Sequence, residues 1–315
     1  MTFDRYEGTR DAYGKTLAEL GYEDERIVVL TADLAGSTKT GIFAKAHPYR
    51  FFNVGVAEAD MMGIAAGLAM GGYRPFASTF AMFATGKAWE QIRQVIAYPK
   101  VPVRIVATHA GLTVGEDGAS HQMLEDISNM RVLPNMTVIV PADAVEATAV
   151  TRFVAKYDEG PVYVRLARAK FPVILPEDYE FELGKAHVLA EGSDISVFAC
   201  GVMVSAALKA REDLATEGIS VEVVNVSTIK PLDAETLLKS AAKTGLVVTA
   251  EEHQVNGGLG STVCELLSEN LPTRVVRVGV HDRFGQSGPA DRLLSEYGLD
   301  AAGMVAAIKK ALATS

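Results

Sequence analysis

Glu58 is a carboxylate in an apolar frame. It ends the run Gly55-Val56-Ala57-Glu58 and is followed by Ala59-Asp60-Met61-Met62-Gly63-Ile64-Ala65-Ala66-Gly67-Leu68-Ala69-Met70. A strand-like run, Phe51-Phe52-Asn53-Val54, therefore feeds a small-residue helix with the acid at the junction. A carboxylate screened from water at such a place is suited to sharing a proton with a ligand nitrogen. The plainer reading is a first-turn acid facing the helix dipole. Three further segments carry residue types that do chemistry. They are Thr31–Ser37 with Asp33, Ser78–Phe83 with two aromatic rings, and Thr108–Gln122, in which His109, Asp117 and His121 lie among glycines. Taken singly, each has an ordinary structural use. Asp33 suits a turn or N-cap, Phe80 and Phe83 suit a core, and a lone histidine is most often a satisfied polar group.

The elements that must position these residues read as alternating strands and helices. Strands are predicted at Ile27–Leu30, Phe52–Val56, Phe76–Ser78, Val103–Thr108, Val138–Val140 and Val162–Leu166. Helices are predicted at Arg10–Leu20, Glu58–Met70, Lys87–Ala97 and Ala144–Tyr157, the last opened by an Asp143/Glu146 capping box. Such alternation implies βαβ units and a mostly parallel sheet, with sites beyond the carboxyl ends of its strands. Phe171–Gly184, with Pro172, Pro176 and acidic residues, reads as a linker. After it the pattern restarts: strands Ile195–Ala199, Ser220–Val226, Leu246–Ala250 and Thr273–Val278, and helices Ser205–Glu217, Ala234–Ala242, Gly260–Glu269 and Ala301–Ala313. Length agrees with two domains, since 315 residues exceed one typical unit. The formal net charge of −9 argues against a nucleic-acid binder. Cys200 and Cys264 read as reduced core thiols rather than a disulfide or metal pair. The N-terminus shows no leader pattern, and no run approaches the ~20 apolar residues of a membrane span, so a cytoplasmic protein with no membrane contact is the default expectation.

Together and in this order, the four chemical segments resemble the pyrimidine-binding domain of transketolases, which use thiamine diphosphate. Gly115-Glu116-Asp117-Gly118-Ala119-Ser120-His121-Gln122 is the most specific part. The C-terminal part, with Glu251-Glu252-His253 and Gly257-Gly258-Leu259-Gly260, is similar to that family's last domain. The resemblance implies two three-layer α/β domains with mostly parallel sheets: residues 1–175 for the pyrimidine domain, 176–184 for a linker and 185–315 for the C-terminal domain. It also implies a role for each residue. Glu58 would share a proton with N1′ of the aminopyrimidine, and with His109 and His121 would form the catalytic set. Phe80 and Phe83 would cradle the ring, with Trp89 as candidate third aromatic and Asp33 near the cofactor. His109, Asp117 and His121 would face sugar hydroxyls, while Arg10, Ser37 and Arg168 would grip a substrate phosphate. Arg165 is a nearby decoy, and Glu251, Glu252 and His253 are given no chemistry.

Full-length family members carry a diphosphate-binding domain with Gly-Asp-Gly and a later Asn. This sequence contains no Gly-Asp-Gly. The resemblance is therefore to the C-terminal subunit of a split transketolase. The Mg2+ or Ca2+ that anchors the diphosphate would be held by a separate N-terminal subunit, and no metal by this chain. The expected unit has two copies of each subunit and transfers a ketol unit between sugar phosphates. The alternatives are a 2-oxo-acid dehydrogenase β-subunit, a 1-deoxyxylulose-5-phosphate-synthase-like half, or a non-catalytic scaffold.

Overall fold

A computed structural model describes residues 3–314; Met1, Thr2 and Ser315, at the outer bounds of the expected domains, lie outside the described residues. Two parallel-dominated sheets, each flanked by helices, form two α/β domains. The first sheet has seven strands in the spatial order Thr228–Lys230, Thr137–Ile139, Val162–Arg165, Arg104–Ala107, Arg74–Ser78, Ile27–Thr31 and Phe51–Asn53. All neighbours are parallel except Thr228–Lys230, which runs antiparallel to Thr137–Ile139. The second has five: Arg274–Val280, Leu246–Gln254, Ile195–Ala199, Val221–Asn225 and an antiparallel edge, His187–Ala190. Ile27–Thr31 and Ile195–Ala199 are buried throughout. That is why they read as unbroken apolar runs: helices cover both faces of such a sheet.

Four strands had no clear sequence signal. Tyr6–Gly8 pairs with Lys170–Pro172 in a separate two-stranded ribbon, His187–Ala190 edges the second sheet, and Thr228–Lys230 leaves the second half of the chain to complete the first sheet. Phe51–Asn53 is shorter than expected, because Gly55 at φ 75° starts a tight turn, with Ala57 N–H donating to Gly55 O at 2.8 Å. The helix expected over Lys87–Ala97 is broken up. A π-helical turn spans Phe83–Lys87, a short α segment Trp89–Gln91, and a second π turn Ile92–Ala97.

The Asp143/Glu146 pair caps as expected on one side, Asp143 Oδ1 accepting from Glu146 N at 2.9 Å. Glu146 reaches back one residue further than a capping box requires, to Ala142 N at 2.7 Å. Both carboxylates also fasten more distant parts of the chain. Asp143 Oδ2 accepts from Ile174 and Leu175 N, and Glu146 accepts from Tyr179 Oη and from Asn225 of the second domain. The stretch read as a linker is therefore pinned to the helix Ala144–Lys156. Burial pushes the Glu146 carboxyl above its ordinary range. Cys200 and Cys264 are both free thiols, Cys200 buried. No helix among the described residues is long and apolar enough to cross a membrane.

Candidate active site

The chemical segments meet beyond the carboxyl ends of Ile27–Thr31, Arg74–Ser78 and Arg104–Ala107, where an open α/β sheet places its ligands. Asp33 sits at φ 60°, an uncommon conformation for a non-glycine residue. Its N–H donates to Asn53 Oδ1 at 3.0 Å, and Asn53 Nδ2 donates back to Asp33 Oδ1 at 3.0 Å. The exchange ties the loop after one strand to the end of its neighbour. Arg10, in the first turn of the helix Thr9–Glu23, donates from Nη1 to Ser37 O at 2.9 Å and to His109 Nε2 at 3.3 Å.

His109 is buried, at φ 59°, with its ring stacked on Phe80 at 3.7 Å between centroids and 20° between planes. Because Arg10 can only donate, Nε2 is the acceptor. The ring proton therefore lies on Nδ1, which donates to Thr108 Oγ1 at 2.8 Å. Burial first, then the charges of Arg10 and Arg168, hold His109 down at about 3. It is a neutral base at physiological pH. Phe80 and Phe83 lie nearly parallel, at 5.8 Å and 12°. His121 presents its edge to both, at 6.3 and 5.5 Å, while Nδ1 meets Ser120 Oγ at 2.9 Å.

Glu58 is the first residue of the helix Glu58–Met70 and is 2% exposed. It caps no helix amide. Its Oε2 instead accepts from Lys87 Nζ at 2.5 Å. Lys87 ends the π turn that Phe83 begins, so one turn carries both a ring and the partner of the acid.

Arg168 reaches Val114 O and Glu116 Oε2, the latter at 3.2 Å, with Asp117 Oδ1 at 3.9 Å. Its guanidinium is thus shared among groups of the His121 loop. Trp89 Nε1 donates to Asn129 O at 2.9 Å. Arg165 is buried against Asp126 at 2.8 Å and donates to Glu252 O at 2.7 Å, whereas Arg168 has other partners. Among the described residues no group of three or more His, Cys, Asp or Glu is arranged to hold a metal ion.

The second domain supports the site in a way the sequence did not reveal. Glu252, 2% exposed, accepts from Thr113 N at 2.6 Å and lies against Gly111, where a Cβ would stand 2.2 Å from its Cδ. Burial pushes this carboxyl up to about 7. Gln122 Nε2 donates to Leu112 O, Gly115 O and Gln286 O, and Gly118 at φ 77° admits Ser287. The loop carrying His109, Asp117 and His121 is therefore held from both domains. Glycines at 111, 118 and 285 were its only sequence trace.

The family model "Transketolase, pyrimidine binding domain" matches residues 7–173, and "Transketolase, C-terminal domain" matches residues 184–304. A Methanocaldococcus jannaschii protein described as a transketolase C-terminal section is 53% identical over 298 residues, covering 94% of this chain and 93% of that one. The 6-deoxy-6-sulfo-D-fructose transketolase subunit SqwH of a Clostridium species is 45% identical, covering 95% and 92%. A solved structure described as a split gene transketolase, inactive beta4 tetramer, superposes with a TM-score of 0.91 at 55% identity, covering 97% of this chain and 98% of that one. The chain belongs to the transketolase family, as a split subunit made of the pyrimidine-binding and C-terminal domains.

Proposed function

We propose that this chain is the pyrimidine-side subunit of a two-chain transketolase, moving a two-carbon ketol unit from a ketose phosphate to an aldose phosphate. Membership of the pyrimidine-binding family implies dependence on thiamine diphosphate. The residues present fit its aminopyrimidine. Phe80 and Phe83 offer parallel ring faces, and beside them Glu58 is a buried acid whose Oε1 has no hydrogen-bond partner among the described residues. The bound cofactor supplies the nucleophilic carbon that adds to a ketone and the electron sink for the transferred fragment. Glu58 holds a proton at the ring nitrogen N1′. Neutral His109, together with His121, exchanges protons with substrate hydroxyls. Arg10, with Ser37 and Arg168, takes the anionic terminus through charge-assisted hydrogen bonds. Asp117 reads a hydroxyl. Phosphate is our reading of that terminus; the SqwH relative is named for a sulfo sugar, whose anionic end has a similar tetrahedral shape.

The diphosphate and its Mg2+ or Ca2+ fall to a separate N-terminal subunit in this reading, within an assembly of two copies of each chain. Val56, Ile64 and Met70 are exposed beside the helix glycines Gly63 and Gly67, an apolar face suited to association. The single observation that carries the proposal is the convergence of Glu58, the Phe80–Phe83 pair and the Arg10–His109 edge on one end of one sheet. The test is a ketol-transfer assay on this chain alone and with a partner carrying the diphosphate domain. Turnover is expected only from the pair, in keeping with the description of the four-copy relative as inactive. Full turnover by the lone chain would defeat the proposal.

A further inference from the structure

The sequence left open what holds Glu58, and the structure answers with an unexpected residue. A first-turn glutamate would ordinarily turn back to its own helix amides or out to water. Glu58 does neither. Among the described residues its one side-chain hydrogen bond comes from Lys87, whose side chain is 50% exposed while the carboxylate it reaches is 2% exposed. The ammonium takes Oε2 alone, leaving Oε1 without a partner among the described residues. The contact depends on an irregular backbone. The turn closes with Ala88 N–H donating to Phe83 O at 3.1 Å, one residue wider than an α turn, and such turns recur at functional sites. Four residues after Phe83 in a regular α-helix, Lys87 would lie over the Phe83 ring. The extra residue instead directs it to the acid. Gly86 leaves the turn slim, since a Cβ there would come within 3.0 Å of Met82 Cε.

We propose that Lys87 is a positioning residue: it clamps one oxygen of Glu58 and so presents the other to the ring nitrogen of the aminopyrimidine. The inference rests on the cofactor assignment above and deepens it. A glutamate has three side-chain torsions, and a single charge-assisted bond from a fixed turn removes most of that freedom. Preorganisation of this kind is read out as affinity for the one ligand atom it serves. Lys87 itself touches no reacting atom.

The test uses the assembled complex and calorimetric titration with thiamine diphosphate and Mg2+. A second titration uses the analogue in which C–H replaces the pyrimidine nitrogen N1′. Lys87→Met is expected to weaken binding of thiamine diphosphate about tenfold, the scale of one lost charge-assisted contact. It should leave the analogue's affinity unchanged, because the analogue cannot use Glu58. Lys87→Arg should recover most of the loss, and Lys87→Met should have no further effect in a Glu58→Gln background. A Lys87→Met complex that loses affinity for both ligands alike would show a merely structural role and overturn the inference, as would one that loses neither. A wild-type complex that fails to bind thiamine diphosphate would overturn the functional assignment itself, so the wild-type control separates the two failures.

Discussion

Glu252→Gln should make the chain's stability respond to pH differently from the wild type. Glu252 stands on the second domain but holds the loop of the first, accepting from Thr113 N at 2.6 Å through Oε1. Its Oε2 and the Thr113 hydroxyl are both buried without a hydrogen-bond partner, so a proton on the carboxyl suits the site. Burial outweighs the attraction of Arg165 and pushes the carboxyl from its ordinary 4.5 up to about 7. Below pH 4.5 it is protonated in both folded and unfolded chains and contributes no pH dependence. Between 4.5 and 7 the unfolded chain releases the proton while the folded chain keeps it, so stability falls as pH rises. At roughly 1.4 kcal/mol for each pH interval of one, the loss reaches about 3 kcal/mol by pH 7.5. Glutamine keeps an acceptor for Thr113 N and adds a donor for its hydroxyl, without the ionisation. Urea unfolding at fixed protein concentration between pH 4.5 and 8 should show Glu252→Gln gaining on wild type across that interval, by up to about 3 kcal/mol. A difference that does not change with pH, or one that moves against the variant as pH rises, would refute the assignment of a proton to Glu252.

Gly111→Ala should destabilise the chain by more than about 2 kcal/mol in thermal or urea unfolding, since φ is 82° and the new Cβ would meet Glu252 Cδ at 2.2 Å. Arg165→Met should remove about 3–5 kcal/mol by leaving Asp126 buried without its cation, and Asp126→Asn in the same chain should restore part of the loss. Arg10→Met removes both a neighbouring charge and the donor on His109 Nε2. The His109 ring, held at about 3 in the wild type, should then titrate closer to the ordinary 6.5 in an NMR pH series, while the wild-type ring shows no change above pH 5.

The alternating strands and helices were legible because central strands such as Ile27–Thr31 and Ile195–Ala199 are buried on both faces and must be apolar throughout. Periodicity could not reveal the π turns after Phe83. An inserted residue leaves the apolar spacing nearly intact, so Lys87 marked only the start of a predicted helix, Lys87–Ala97. Nor could a local pattern show Thr228–Lys230 crossing to the other domain's sheet, because three residues carry no periodicity. The segments that meet at the site were visible as motifs, and the structure brings Arg10, Ser37, His109, Phe80, Phe83 and His121 together. Trp89 is directed instead to Asn129. What held the loop was not visible. Glu252 and Gln122 act across long sequence separations, and such contacts leave only the small residues that make room for them.

The central claim is that Glu58 serves a proton to the cofactor ring and that this chain can do so only with its partner. Deuterium exchange at the thiazolium carbon of thiamine diphosphate, read by NMR after rapid mixing, measures that service without needing the sugar to be known. The assembled wild-type complex should exchange rapidly. Glu58→Gln in the same complex should be slower by at least about 100-fold, the scale of a lost general acid–base contribution. The lone chain should match free cofactor. Exchange at the wild-type rate in the Glu58→Gln complex, or equally fast exchange with the lone chain, would contradict the account.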